Sequence, residues 1–185
     1  DNGNLCFGQY AYGLSLVLGI ETEADENKGY RYLKDAAEAG QFEAMLFLVK
    51  MFFVGQYFEI DAIKAVDYAS KAAEAGSQEA KLYLGTAYMD GMSVERDYLK
   101  AADLFKQAAN AGFQEARNSL AYLYEEGLGV PKDEEKAFIL YGIAAKAGNM
   151  NAMFRYAVSF EYGIGTEVDL VQAVEWYKKS AKEGD

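Results

Sequence analysis

The chain is 185 residues long, 51% hydrophobic, and carries a formal net charge of −11 with no histidine. Without histidine there is no Ser-His-Asp or Cys-His catalysis, and none of the common zinc sites. The acidic balance argues against nucleic acid, which needs a basic stripe, and against docking on an anionic membrane.

In chain order, five segments repeat one pattern at a spacing of 36 residues. The first runs Gly8, Tyr12, Leu16, Gly19, Asp25, Lys28 and closes on Ala36-Ala37-Glu38-Ala39-Gly40. The second runs Ala44, Leu48, Phe52, Gly55, Asp61, Lys64 and closes at Gly76. The third has Ala80, Leu84, Tyr88, Gly91, Asp97, Lys100 and Gly112, and the fourth Ala116, Leu120, Tyr124, Gly127, Asp133, Lys136 and Gly148. The fifth has Ala152, Tyr156, Phe160, Gly163, Asp169, Gln172 and Gly184. Fixed self-similarity of this length marks a stacked repeat array.

Each recurring place has a physical role. The small, Leu/Tyr and aromatic residues are four apart and share one helix face. The glycine after them stops the helix, because glycine takes the left-handed cap cheaply. The aspartate starts the next helix by capping free N–H groups at the positive dipole end. The Ala-Ala pair lets the second helix approach its neighbours, and the last glycine ends it. One repeat is therefore helix, short loop, helix, tight turn. In the third copy the helices are expected over 78–89 and 97–111.

The segment Ala116-x-x-x-Leu120-Ala121-x-x-Tyr124-x-x-Gly127-Leu128-Gly129-Val130-x-x-Asp133-x-x-Lys136-Ala137 resembles a Sel-one-like repeat. So do Ala152 with Gly163-Ile164-Gly165, and Ala173-x-x-Trp176-Tyr177-x-x-Ser180-Ala181-x-x-Gly184. The resemblance covers residues 5–184, as copies 5–40, 41–76, 77–112, 113–148 and 149–184. It implies an all-α, right-handed solenoid of five helix-loop-helix repeats, similar to the tetratricopeptide fold. Copy two departs at Gly55-Gln56-Tyr57-Phe58, which lacks the second glycine, and at Val49. Copy one departs at Gly8 and Gly29.

The tetratricopeptide register, carried over, puts one face of each first helix on a concave groove. For copy two these places include Leu46, Lys50 and Phe53, and for copy three Glu79, Leu82, Met89 and Asp90. Copy four gives Glu115, Asn118, Tyr122, Glu125 and Glu126, and copy five Phe154, Val158, Glu161 and Tyr162. Copy one is apolar there, with Phe7, Tyr10, Leu14, Val17 and Leu18. The implied groove is apolar in its first half. It is acidic with aromatic residues, and without counter-charge, in copies three to five.

The chemistry search is mostly negative. Gly127-Leu128-Gly129 and Gly163-Ile164-Gly165 follow helices, not strands, so they fail the context test for a dinucleotide loop. Acids such as 21–26 and 133–135 gather where helices begin, with no spaced oxygen-ligand loop for calcium. No cofactor and no metal is expected. The apolar runs 10–20 and 45–54 are too short to span a bilayer. The single Cys6 can form no internal disulfide, and the repeat-stapling cysteine pairs of some family members are missing. That favours a reducing compartment, with secreted and periplasmic locations left open. Gly184-Asp185 reads as the entry to a sixth copy, so the chain is expected to be part of a longer protein.

These features point to a non-catalytic scaffold or adaptor that binds a partner protein or peptide carrying basic and apolar residues. Self-association through the apolar N-terminal copies is a further partner reading. A regulatory arm of an enzyme encoded outside this segment is the alternative function. A helical-hairpin glycosidase is a third, disfavoured by an open array with regular caps.

Overall fold

The computed structural model describes residues 2–55 and 57–183, and the side chains of 7–55 and 57–182. Gln56, Gly184, Asp185 and the side chain of Cys6 lie outside the described residues. The helices are α1 (Asn2–Leu18), α2 (Glu26–Glu38), α3 (Phe42–Val54), α4 (Ala62–Glu74), α5 (Gln78–Asp90), α6 (Tyr98–Asn110), α7 (Gln114–Glu126), α8 (Glu134–Lys146), α9 (Met150–Tyr162) and α10 (Leu170–Glu183). No strand occurs among the described residues. The expected bounds of α5 and α6 agree with those observed to within a residue.

The caps follow the sequence. Asp25, Asp61, Asp97 and Asp133 each accept a hydrogen bond from the backbone N–H three residues on, at 2.9–3.0 Å. Asp169 accepts from Val171 and Gln172. The first helices end on Gly55, Gly91, Gly127 and Gly163 in the left-handed conformation. Helices α2, α4, α6 and α8 end in a Schellman pairing, as where the Gln41 N–H donates to the Ala36 carbonyl and the Gly40 N–H to that of Ala37.

The recurring lysine has a role that the spacing alone did not give. Its ammonium lies over an aromatic ring of the preceding helix: Lys28 over Tyr12 at 5.7 Å, Lys64 over Phe52 at 5.0 Å, Lys100 over Tyr88 at 5.0 Å and Lys136 over Tyr124 at 4.1 Å. The cation meets the electron-rich ring face, and the lysine stem covers it from water. In copy five Gln172 replaces the lysine, and Lys179 lies over Trp176 instead, at 3.9 Å.

Two compact units are formed, Asp1–Ala87 with Gly91–Glu95, and Tyr88–Asp90 with Arg96–Asp185. In the first, α1 packs on α2, α2 on α3 and α3 on α4. The α1–α2 crossing explains Gly29 of copy one, whereas nothing lies within 4 Å of a Cβ at Gly8. A Cβ at Gly29 would fall 2.6 Å from Val17 Cγ2 and 2.8 Å from the Gly13 carbonyl oxygen, so two glycines let the backbones meet. The copy-two loop exchanges its second glycine for aromatic packing, with Phe58 at 5.4 Å from Tyr30 and 5.6 Å from Phe52.

In the second unit α6, α7, α8, α9 and α10 pack in succession. Its core combines small and large side chains: Ala121, Ala137, Ala144, Ala145, Ala152 and Ala157 around Tyr141, Met153, Tyr156 and Trp176. The alanines bring helices close, and the rings fill the space left between them. The second loop glycine has a separate job. Gly129 has φ +66°, and a Cβ there would overlap the carbonyl group of Tyr98 at the start of α6. Gly165 makes the same approach to Glu134. Ser93 and Glu21, at the equivalent places, also hold positive φ, at 55° and 57°.

Candidate protein-interaction face

The face under test is built on α7 and α9. Ala116, Leu120, Ala121 and Leu123 point α7 into the core, and Ala152, Met153, Tyr156 and Ala157 do so for α9. Residues on the other side of each helix are left facing outward. Glu115 and Glu126 are exposed, and Asn118, Tyr122 and Glu125 are half-buried. On α9, Phe154 is 50% and Tyr162 68% exposed. Val158 and Glu161 are half-buried. Met89 is half-buried and Asp90 exposed at the end of α5.

Two of the expected acids have partners that the sequence reading missed. The Tyr141 hydroxyl donates to Glu125 Oε2 at 2.6 Å, and the Tyr177 hydroxyl to Glu161 Oε2 at 2.5 Å. Both pairs link a first helix to the second helix of its own repeat. Burial, then the carboxylate, push the Tyr141 phenol far above its ordinary value. The same two causes push Tyr177 up to about 12. The signal was present in the spacing, because the two tyrosines lie 36 residues apart, as do the two glutamates.

The expectation of a face without counter-charge needs correction. The Arg155 guanidinium lies 5.6 Å from the centre of the Tyr122 ring. Arg155 was passed over because its place in the repeat was not among those carried over from the tetratricopeptide register. It follows Phe154 directly and lies about one turn before Val158, and its stem reaches the ring. Asn118 also differs from a freely exposed side chain, since its Oδ1 is buried without a hydrogen-bond partner.

In the first unit the expected places divide. Glu79 forms an ion pair with Lys50 at 2.7 Å, which raises the lysine's pKa, chiefly through the side-chain hydrogen bond. Phe53 and Leu82 are half-buried, and the Phe53 ring lies 5.3 Å from that of Tyr83. Leu46 is corrected outright: it is 9% exposed and belongs to the core. Helix α3 is apolar nearly all round, with Met45, Leu46, Leu48, Val49, Met51 and Phe52 all buried, so periodicity could not assign its outer face. On α1, Val17 is likewise buried, whereas Phe7 is 61% and Leu18 37% exposed.

Among the described residues, no three His, Cys, Asp or Glu side chains gather as metal ligands. None of the described helices is long and apolar enough to cross a membrane.

The fold is shared with solved repeat proteins. A protective antigen of uropathogenic Escherichia coli with an SLR fold, c5321, superposes with a TM-score of 0.87 at 28% identity, over 100% of this chain and 39% of its own. A Sel1 repeat protein from Oxalobacter formigenes gives a TM-score of 0.87 at 27% identity, over 97% of this chain and 74% of its own. The immunity protein Pa5087 of Pseudomonas aeruginosa, 22% identical, shares the fold at a TM-score of 0.60, over 97% of this chain and 66% of its own. A search of curated protein sequences gave no match. The Sel1 repeat profile matches residues 7–41, 43–77, 78–113, 114–149 and 151–185. The chain is thus an all-α solenoid that belongs to the Sel1 repeat family, whose members are generally non-catalytic scaffolds for protein–protein interaction.

Proposed function

We propose that this chain is a scaffold that holds a partner protein or peptide on the outward face of α7 and α9. The observation that carries the reading is the exposure of Phe154 and Tyr162 on a helix otherwise well packed. Large rings left in water beside carboxylates suit a surface that buries aromatic anchors on binding and orients its partner by charge. Met89 and Asp90 extend this second-unit face. Phe53, Glu79 and Leu82 form a separate candidate surface in the first unit.

Site-specific photo-crosslinking tests the reading. A benzophenone side chain at position 154 should capture a partner from the native cell extract. The same group at Ile139, exposed on the second helix α8, should not. Capture from 139 with none from 154 would move the working surface to the second helices.

Self-association is a second reading, favoured by the exposure of Phe7, Tyr12 and Leu18 along α1. Light scattering should then show a dimer that Phe7→Glu dissociates. A monomer at high concentration removes this reading.

A further inference from the structure

Resting on the docking face just described, we propose that its partner is an extended segment in which at least two Lys or Arg side chains flank an aromatic or aliphatic anchor. The exposed rings of Phe154 and Tyr162 call for the anchor. The carboxylates decide the rest. Glu125 and Glu161 occupy the same place in successive repeats, and each is held by a phenol through Oε2 alone. A phenol orients a carboxylate without bringing a positive charge, and among the described residues no further hydrogen bond to either acid is seen. Among the described residues none of Glu115, Glu125, Glu126 and Glu161 forms an ion pair, although six such pairs occur elsewhere.

The cations near that face have other contacts, and Lys132, whose charge acts on Glu125 and Glu126, is paired with Glu134 at 2.7 Å. Arg155 lies over Tyr122 rather than in an ion pair with either pinned glutamate. A guanidinium on a ring, with carboxylates nearby, is the arrangement that an incoming arginine would need. The recurrence of the pinned acid in the fourth and fifth repeats favours a partner that runs along these two repeats and offers its cations at the matching interval. An acidic or neutral segment would leave those carboxylates to be desolvated without a partner. Fixed acceptors lose little freedom on binding, which favours the orientation they already have.

The test is selection from a phage-displayed library of random dodecapeptides against the whole chain. Winning peptides are then measured by fluorescence anisotropy against variants checked for native helicity by circular dichroism. Phe154→Ala and Tyr162→Ala test the face itself. Glu125→Gln with Glu161→Gln tests the charge, because the amide oxygen still accepts the phenol's hydrogen bond. Expected are peptides enriched in Lys or Arg beside an apolar residue, weakened at least about tenfold by the ring variants and by the double Gln variant. Their affinity should also fall as salt rises. Peptides that need the rings but carry no basic residues, or ignore the double Gln variant, overturn the basic-partner proposal and leave the face standing. Peptides indifferent to the ring variants, or a library that yields no binder, overturn the face as well.

Discussion

Gly129→Ala, set beside Gly148→Ala, separates two costs that a glycine hides. Both positions have positive φ, +66° at Gly129 and +96° at Gly148. At Gly148 nothing lies within 4 Å of an added Cβ. Alanine there bears only the conformational strain, about 1–2 kcal/mol, offset by about 0.4–1 kcal/mol of lost freedom in the unfolded chain. At Gly129 the same methyl meets the backbone carbonyl of Tyr98, which no rotamer change can move aside. Overpacking of that kind adds about 1–3 kcal/mol. The expected losses are therefore about 1 kcal/mol for Gly148→Ala and about 3 kcal/mol for Gly129→Ala. Thermal melts followed by circular dichroism should separate them, at about 2–4 °C per kcal/mol for a chain of this size. Hydrogen exchange should place the larger loss at the start of α6, where the contact lies. Equal losses in the two variants would refute the close-approach argument and leave backbone strain as the whole role of the second loop glycine.

Removing one N-cap, Asp133→Ala, should cost about 1 kcal/mol in the same melts, because the Lys136 N–H loses its acceptor. Tyr141→Phe should cost about 1.5–3 kcal/mol in denaturant titration, the worth of a hydrogen bond to a charged group, while leaving the helix content unchanged. The Tyr177 phenol is raised from 10.0 to about 12, so the folded state holds that proton longer than the unfolded chain does. Its stabilisation is complete below the unfolded value and is lost as pH rises from there through about 12, a decline that Tyr177→Phe should flatten in alkaline melts. The Lys50–Glu79 pair is partly exposed, at 42% and 28%, and a double-mutant cycle should give less than about 1 kcal/mol that fades with salt.

What the sequence made legible was whatever repeats strictly. The caps at Asp25, Asp61, Asp97 and Asp133 and the glycine stops could be read because a cap involves residues only a few places apart. Contacts between helices were harder. The Tyr141–Glu125 pair joins residues on different helices, and only a comparison of two columns of the repeat would have exposed it. Arg155 escaped because a long flexible side chain reaches beyond the place where its backbone position puts it. Leu46 was misassigned because α3 offers no polar face to set its rotation, and packing alone decides which apolar residues go inside. Gly29 of copy one reads in the sequence as a departure from the pattern, and only the crossing of α1 on α2, where it meets Gly13, gives it a reason.

The reach of the Tyr141–Glu125 and Tyr177–Glu161 bonds bears on how such a protein changes over generations. Each bond closes inside a single repeat, as do the aspartate caps. When a whole repeat is duplicated or lost, donor and acceptor travel together, and no carboxylate or phenol is stranded in the interior. A deletion that is not a whole number of repeats would instead leave a helix without its partner, and strand whichever carboxylate or phenol it had been bonded to. The chain can therefore lengthen or shorten in steps of one hairpin with its polar groups still satisfied, which makes the number of repeats a freely adjustable trait.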